Sequence, residues 1–232
     1  MDLQITNGDV RRYERKFFIS SLSAREVEAI VRLHPAIFSE IYHERPVNNI
    51  YFDTHNLGSF VSNVEGSAQR LKVRIRWYGD TFGFVASPVL EFKIKSGFVG
   101  HKKSFALASF GLDQLFTCET ARDCFNRSDL PDGVEFRVNS LDPTLLNSYR
   151  RRYFRSADRR YRITLDTDAS FYRIGRKNNS FTSKLSDRIN VILEVKYDEE
   201  CDADADRITN HFPFRMTKSS KYVSGIDNLY IW

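Results

Sequence analysis

Three short runs carry charged residues at every second position: Lys72-Val73-Arg74-Ile75-Arg76-Trp77, Glu91-Phe92-Lys93-Ile94-Lys95 and Leu193-Glu194-Val195-Lys196-Tyr197. Side chains alternate between the two faces of a β-strand, so the three cations of the first run share one face and its apolar residues share the other. Like charges on one face repel each other. Several such faces in one sheet therefore indicate a site for a polyanion.

Further strand-like runs surround these three. We predict strands over residues 13–19, 47–52, 70–78, 89–95, 149–154, 160–166 and 191–197. Gly97 and Gly100 indicate a turn into Lys102-Lys103-Ser104-Phe105, and Asp142-Pro143 indicates another turn. Many strands with few helices favour an antiparallel β-barrel or a highly curved sheet in an α+β arrangement.

Helices are predicted at three places. Ser23-Ala24-Arg25-Glu26 has the pattern of a capping box and predicts the start of the first helix. A second helix is predicted over residues 112–126 and a short third one over 202–210. The sequence has no repeat, low-complexity segment or linker, so we expect one domain over residues 1–232.

The composition narrows the class of protein. The formal net charge is +5 and the pI about 9.1, with 35 Lys and Arg against 30 Asp and Glu, so clustering of charge matters more than its excess. Three cysteines at spacings without a zinc motif indicate free thiols in a reducing compartment. We see no signal-peptide core and no apolar run of membrane length, and we expect a cytoplasmic protein without a membrane segment.

The sequence lacks the motifs that are typical of several classes of enzyme. The glycines around residues 97–100 do not have the spacing of a Walker loop, and no G-x-S-x-G elbow is present. The five histidines form no ligand pair at helical or finger spacing. A Ser/His/Asp enzyme is therefore unsupported.

The strand cations are the main candidates for a site. If the sheet closes, they face one another in a low-dielectric chamber that binds phosphate oxygens through charge-assisted hydrogen bonds. The candidates are Lys16, Lys72, Arg74, Arg76, Lys93, Lys95, Arg151, Arg162, Lys196 and Lys221. Glu14, Glu91 and Glu194 alternate with them and either hold Mg²⁺ or Mn²⁺ or pair with a cation. Catalysis of phosphoryl transfer relies mostly on positioning of the substrate and stabilisation of charge, so such a chamber is sufficient for it.

Nucleic-acid binding is the main alternative for a basic sheet. Aromatic residues on a nucleic-acid platform should share the cationic face. Trp77, Phe92 and Tyr197 instead fall on the opposite face. The pattern therefore favours a phosphate ligand over RNA, and no nucleic-acid partner is expected.

A set of motifs in a fixed order resembles a known family. The motifs are Arg12-Tyr13-Glu14-Arg15-Lys16-Phe17, Tyr51-Phe52-Asp53-Thr54, the three runs quoted first, Tyr149-Arg150-Arg151-Arg152-Tyr153-Phe154, Arg162-Ile163-Thr164-Leu165-Asp166 and Ser220-Lys221-Tyr222. Over residues 10–230 the set resembles the VTC (vacuolar transporter chaperone) domain, the polyphosphate-polymerase branch of the CYTH-like triphosphate tunnel metalloenzymes.

The resemblance implies an eight-stranded antiparallel tunnel with flanking helices. It also implies transfer of the ATP γ-phosphate to a growing polyphosphate chain with Mn²⁺ or Mg²⁺. The implied phosphate contacts are Lys16, Lys72, Arg74, Arg76, Lys93, Tyr149, Arg151, Lys196, Lys218, Ser220 and Lys221, with a further one from Lys102 or Lys103, of which we take Lys103. Glu194 matches the metal-binding glutamate. The implied catalytic residues are Arg74, Arg76, Arg151, Lys93 and Glu194.

The sequence departs from the hydrolytic relatives on its first strand. They carry E-x-E-x-K, whereas this register reads Arg12-x-Glu14-x-Lys16, so a cation replaces one metal carboxylate. More cations and fewer carboxylates suit a long polyanion better than hydrolysis of tripolyphosphate. The SPX sensor domain and membrane segment of the eukaryotic polymerases are not seen, so we do not expect their regulation or translocation here. A triphosphatase, a non-catalytic polyphosphate-binding module and an RNA-binding module remain the alternatives.

Overall fold

Eleven strands and six α-helices follow one another in the residues that the computed structural model describes, 12–96, 99–177 and 179–230. The strands are β1 Arg12–Ile19, β2 Ser39–Asp53, β3 Gln69–Tyr78, β4 Gly83–Val85, β5 Val89–Ser96, β6 Val99–Ala106, β7 Phe110–Leu112, β8 Asp142–Arg155, β9 Tyr161–Arg173, β10 Lys184–Asp187 and β11 Val191–Asp198. The helices are α1 Ala24–Arg32, α2 Gly58–Val64, α3 Cys118–Asn126, α4 Asp132–Asn139, α5 Ala205–Thr209 and α6 Lys221–Leu229.

Eight of the strands form a closed antiparallel ring. Their order is β9-β11-β1-β6-β5-β3-β2-β8, and β8 pairs again with β9, which completes the circle. β10 extends β9 at one end, and β4 pairs with β7 in a separate small ladder. The prediction of an eight-stranded antiparallel barrel in an α+β fold is thus confirmed.

The apolar faces of the ring strands lie outward and are covered by helices. Val73, Ile75 and Trp77 of β3 are almost fully buried, in a cluster that includes residues of α3 and α4. A second cluster joins α1 and α5 to β1, β9 and β11. As predicted, the alternation of charged and apolar residues separates a charged face of each strand from an apolar one. The charged faces line the inside of the barrel, and the hydrophobic core lies around its outside.

α1 begins where the capping box predicts. The Ser23 hydroxyl accepts a hydrogen bond from the Glu26 amide at 3.4 Å, and a Glu26 carboxylate oxygen accepts one from the Ser23 amide at 2.7 Å. The helix predicted over 112–126 is shorter, because Phe110–Leu112 forms β7 and α3 begins only after its own capping box at Thr117 and Thr120. Residues 202–210 are divided between a 3-10 turn, Glu199–Asp204, and α5.

The two predicted turns need correction. Gly100 lies inside β6, where it pairs with Lys95 and Arg12, and Gly97 lies outside the described residues. Asp142 and Pro143 begin β8 instead of a turn. Pro143 has no amide hydrogen to donate, and it sits beside a shift of register between β2 and β8 that accommodates it.

α6 closes one side of the barrel and has no counterpart in the sequence prediction. Tyr222 and Ile226 are buried in a third cluster with Leu145 and Phe171. The contact is close: a Cβ atom built on Gly225 lies 2.5 Å from Leu145 Cδ2. This docking fixes the start of α6, where Ser220 and Lys221 lie, against the tunnel.

Candidate functional site

The inward faces of the ring strands meet in a tunnel. The strand register places Lys72 opposite Lys93, Arg74 opposite Glu91 and Lys16 opposite Glu194. The cavity at the centre has a volume of about 110 Å³. It is lined by Glu14, Lys16, Tyr51, Lys72, Arg74, Arg76, Lys93, Tyr149, Arg151, Glu194, Lys196, Ser219, Ser220 and Lys221.

Glu91 organises the arginines of β3. Arg74 Nε donates to Glu91 Oε2 at 2.8 Å, and Lys102 Nζ donates to Glu91 Oε1 at 2.8 Å. Burial would raise the pKa of Glu91, but Arg74 and Arg76 outweigh it and hold this pKa well below the ordinary value. Glu91 is therefore an anchored counter-charge that fixes two guanidinium groups in the tunnel.

Glu194 is the centre of a second ion-pair group. Its Oε1 accepts a hydrogen bond from Lys16 Nζ at 2.7 Å, and its Oε2 lies 2.8 Å from Lys196 Nζ and 3.6 Å from Arg151 Nη2. Burial would raise its pKa, but Lys16 and Lys196 lower it far below the usual range. Glu194 is thus ionised and available to a cation at any physiological pH.

Asp166 forms a third group. Arg151 Nε and Nη2 donate to its two oxygens at 2.5 and 2.6 Å, and Lys221 Nζ also pairs with it. Burial would raise the pKa of Asp166, but Arg151 and then Lys221 lower it. Asp166 ends a motif quoted above, yet we did not select it. Only the pairing of β8 with β9, which sets Arg151 opposite Asp166, reveals its role.

Among the lysines that line the cavity, Lys72 and Lys93 have lowered pKa values. Burial, together with Lys16 and Lys93, lowers the pKa of Lys72 to about 7, and its Nζ donates to the neutral Ser220 Oγ at 2.7 Å. Burial also lowers the pKa of Lys93 to about 8, although Glu14 accepts from it at 2.9 Å. A bound anion would raise both pKa values, which is the property of a site built for anions.

Two tyrosine hydroxyls each contact one of the tunnel arginines. The hydroxyl of Tyr51 lies 3.2 Å from Arg74 Nη1, and that of Tyr149 lies 3.3 Å from Arg76 Nη2. Burial would raise the pKa of Tyr149, but Arg151 and Arg76 lower it. Lys221 Nζ lies 4.4 Å from the ring centroid of Tyr149, so the ring also packs against a cation.

The start of α6 supplies the last part of the site. Ser220 is the N-cap of this helix, and its hydroxyl accepts from the Val223 amide at 3.3 Å while it also contacts Lys72. Two residues further along, the hydroxyl of Tyr222 donates to Asp53 Oδ2 at 2.5 Å. Asp53 also accepts hydrogen bonds from the Ser59 and Phe60 amides, so one buried carboxylate joins α2, β2 and α6.

Most of the residues selected from the sequence lie together. Eleven line the cavity: Lys16, Lys72, Arg74, Arg76, Lys93, Tyr149, Arg151, Glu194, Lys196, Ser220 and Lys221. Lys103 is in register with the outward-facing Phe92, whereas Lys102 lies opposite Lys93 on the tunnel face. Lys218 is not among the lining residues. The side chain of Arg12 lies outside the described part of the structure.

We use the name tunnel cluster for the charged side chains of this site. It comprises the acids Glu14, Glu91, Asp166 and Glu194 with the cations Lys16, Lys72, Arg74, Arg76, Lys93, Lys102, Arg151, Lys196 and Lys221.

A divalent metal fits part of this cluster. Within the described ranges, no three His, Cys, Asp or Glu side chains come together as a ready ligand set. Glu14 and Glu194 nevertheless approach from neighbouring strands, and Lys16 Nζ lies 3.7 and 2.7 Å from them. Mg²⁺ commonly takes one or two carboxylates and completes its shell with phosphate oxygens and water, so these two residues fit such an ion.

A larger cleft lies outside the barrel. It has a volume of about 440 Å³ and lies between the start of α1, β9 and the segment before β11. Arg152 in this cleft already donates to Glu28 at 2.5 Å and to Glu44 at 3.1 Å. The charge of Arg152 is therefore paired with two acids, and the smaller tunnel cavity, on which eight cations converge, remains the candidate site.

The closed barrel with an interior lined by more cations than acids defines a tunnel protein suited to polyanionic ligands. The family model of the VTC domain matches residues 11–230, and the chain belongs to this family. The resemblance seen in the sequence is thus confirmed.

Solved structures share the fold at low sequence identity. A putative adenylyl cyclase from Hippeastrum, described as having a dominant triphosphatase activity, aligns with a TM-score of 0.52 and 13% identity over 94% of this chain and 96% of its own. A putative adenylate cyclase from Bacillus halodurans aligns with a TM-score of 0.50 and 11% identity over 94% of this chain and 97% of its own. No curated protein matches the chain significantly. None of the helices in the described ranges is long and apolar enough to cross a membrane.

Proposed function

We propose that this protein is a polyphosphate polymerase that transfers the γ-phosphoryl group of ATP to a polyphosphate chain inside the tunnel. The observation that carries the proposal is that five lysines and three arginines converge on one cavity of a closed barrel, with only two acids among its lining residues. Such an arrangement is costly without a ligand and is stabilised by a chain of phosphates.

The arginines and lysines have separate parts in this reaction. Arg74 and Arg76 are held by Glu91 and Asn49, with Arg76 Nε donating to Asn49 Oδ1 at 2.8 Å, so their forks are oriented before substrate enters. Arg151 is oriented in the same way by Asp166. These groups bind phosphate oxygens and stabilise the charge that spreads over the transferred group.

The transfer itself needs no covalent intermediate with the protein. An oxygen of the terminal phosphate of the acceptor chain attacks the γ-phosphorus of ATP, and the bond from that phosphorus to the β,γ-bridging oxygen breaks. ADP leaves with the electron pair of that bond, and the acceptor chain is one phosphate longer. Lys72 and Lys221 line the cavity where they can neutralise the phosphates on the γ side, and the Ser220 hydroxyl beside Lys72 can donate a hydrogen bond to them.

A divalent ion would be held by Glu194 and Glu14. When bound there, Mg²⁺ or Mn²⁺ neutralises charge on phosphate oxygens as a Lewis acid. The protein's part is to keep both carboxylates ionised, which the lowered pKa values of Glu14 and Glu194 ensure.

The acids of the tunnel favour an anionic acceptor over water. A general base works best when its pKa lies near the working pH. Burial would raise the pKa values of the four tunnel acids, but neighbouring cations outweigh it, and the pKa values of Glu14, Glu91, Asp166 and Glu194 are all lowered. Weak bases activate water poorly. The end of a phosphate chain is already an anion and needs no such activation.

Incubation of the purified protein with ATP and Mn²⁺ or Mg²⁺ tests the proposal. We expect long-chain polyphosphate and ADP in matching amounts, with little free phosphate. Free phosphate without polymer would identify a triphosphatase. Binding of tripolyphosphate without turnover in either metal would identify a binding module.

A further inference from the structure

The two ends of the tunnel differ in chemistry. Tyr78, the last residue of β3, lies two residues beyond Arg76 on the same face, which is a distance of roughly 7 Å along the strand. The strand pairings set Val47 opposite Tyr78 and Arg45 opposite Arg151, so Arg45 and Tyr78 lie at the same end. We name this end the tyrosine mouth.

An arginine at the tyrosine mouth is surrounded by three aromatic rings. The Cζ atom of Arg45 lies 4.5 Å from the ring centroid of Tyr78, 4.9 Å from that of Tyr153 and 5.1 Å from that of Tyr42. The rings of Tyr42 and Tyr153 meet edge to face at 5.6 Å. Arg45 Nε is buried and has no hydrogen-bond partner. Ring stacking and a side-chain hydrogen bond to Tyr153 therefore hold Arg45, and no ion pair of Arg45 is seen among the described residues.

The outer surfaces of this group face the solvent. Tyr42 is 56% exposed and Tyr78 is 50% exposed, which is unusual for large aromatic side chains beside a buried site. Exposed aromatic rings and a guanidinium plane are the surfaces on which nucleobases stack. They offer little to a phosphate chain, which binds through charged hydrogen bonds.

The opposite mouth presents cations. Arg70 and Lys95 are paired in register at that end of β3 and β5. Burial, followed by the nearby charge of Arg70, lowers the pKa of Lys95. This mouth therefore suits a polyanion, and the tunnel has one end for a planar ring and one for phosphates.

We propose that the tyrosine mouth stacks the base of the nucleoside triphosphate donor. The inference rests on the proposed function, and it adds the direction in which the donor lies. The base stacks on the exposed rings of Tyr78 and Tyr42, which Arg45 holds together. The triphosphate extends past Arg76 and Arg74, and the γ-phosphate reaches Lys72 at the start of α6. The acceptor chain then approaches from the mouth that carries Arg70 and Lys95.

Stacking makes a specific prediction about the choice of nucleotide. Every base has a π-face, so recognition by stacking tolerates any base. ATP and GTP should bind with similar affinity, and a ligand without a base should be indifferent to changes at this mouth.

Calorimetric titration of ATP, GTP and tripolyphosphate in Mg²⁺ tests the inference with Tyr78→Leu. Loss of one stacked ring should weaken ATP and GTP about tenfold, which corresponds to ~1.4 kcal/mol, and leave tripolyphosphate unchanged. Tyr78→Phe retains the ring and should restore nucleotide affinity. If Tyr78→Leu does not fold, Tyr42→Leu is the alternative, because Tyr42 is the more exposed ring.

Two arginines provide a matched comparison. Arg173 Cζ lies 4.5 Å from the ring centroid of Tyr230, the same distance as Arg45 Cζ from Tyr78, but Arg173 is an exposed residue that is not part of the tyrosine mouth. Arg45→Gln should weaken nucleotides selectively, and Arg173→Gln should change nothing. Equal loss for tripolyphosphate, or no loss for any ligand, would refute base stacking. Failure of the unaltered protein to bind tripolyphosphate would instead refute the proposed function.

Discussion

Arg74 shows how one strand position decides the function of a side chain. It faces the tunnel and is held by Glu91, whereas Arg150 on β8 faces outward, 56% exposed, and pairs with Glu44 at 3.0 Å. We expect Arg74→Ala to weaken tripolyphosphate binding by about 1.5–3 kcal/mol, because a buried charged hydrogen-bond partner is lost. Calorimetric titration measures the change.

Arg150→Ala is the control for this variant, since it removes the same charge from the outer face. Surface ion pairs contribute little, and we expect its affinity for tripolyphosphate to stay within a factor of three. Similar losses in the two variants would mean that net charge, and not the tunnel position, determines binding.

Glu194 is the acid on which the metal assignment depends. Glu194→Gln should abolish metal-dependent turnover while the fold, monitored by circular dichroism, persists. The ligand-free variant should also melt at a lower temperature, because Lys16 and Lys196 lose their counter-charge, and tripolyphosphate should restore part of this loss.

Glu44→Gln controls for the loss of an ion-paired glutamate. Glu44 pairs with Arg150 and Arg152 outside the tunnel, and its replacement should leave turnover unchanged. Full metal-dependent activity in Glu194→Gln would remove Glu194 from the metal site.

Among the elements, α6 connects packing to chemistry. Its first residues, Ser220 and Lys221, contact Lys72 and Asp166, while Tyr222 binds Asp53. The position of Ser220 and Lys221 in the cavity therefore depends on how closely one short helix approaches β8.

Gly225→Ala tests this dependence. The new Cβ would lie 2.5 Å from Leu145 Cδ2 and 2.9 Å from Phe171 Cδ1, so α6 moves away from the barrel unless these two side chains repack. Overpacking of this kind costs about 1–3 kcal/mol, and we expect lower stability together with weaker tripolyphosphate binding. Ser224→Ala, on the same helix, is the control. Unchanged binding despite lower stability would show that α6 adjusts without moving its first turn.

The strands could be predicted from the sequence, whereas several connections could not. Alternating charge predicts which face of β3, β5 and β11 is inward, because the period of two is a local property. The start of α3 depends on a capping box that competes with the short pairing of β7 with β4. α6 is positioned by Leu145 and Phe171, which are distant in the sequence, so no local pattern reports it.

The same distinction applies to the site. Arg74, Arg76 and Glu194 could be selected because their own strands show the alternation. Lys102, and not Lys103, is identified on the tunnel face only once the register of β5 with β6 is known. In the same way, Asp166 is identified only from the register of β8 with β9. A shift of one residue moves a side chain to the other face, and sequence alone does not fix that register.

The stability of the whole molecule should depend on pH in an unusual way. Burial lowers the pKa of Lys72 to about 7, whereas an unfolded lysine titrates near 10.4. Between pH 7 and 9 the unfolded chain thus binds more protons than the folded one, so the free energy of unfolding should rise with pH. We expect an increase on the order of 1 kcal/mol, which allows for solvent screening because the Lys72 side chain is only half-buried.

Urea unfolding at pH 7, 8 and 9 measures this increase. Lys72→Met removes the titrating group and should reduce the increase, and saturating tripolyphosphate should do the same by keeping the lysine protonated. The acids of the tunnel titrate far below this window, since their pKa values are lowered. Stability that falls from pH 7 to 9 would contradict the burial of an uncompensated lysine.

The tunnel cluster holds nine cations and four acids, an excess of five that equals the formal net charge of +5 of the whole chain. The other 26 Lys and Arg are balanced by the other 26 Asp and Glu, out of totals of 35 and 30. A bound polyanion thus acts as an internal counter-ion. The loaded protein should lose its migration toward the cathode in native electrophoresis at neutral pH, although nothing on its outer surface has changed.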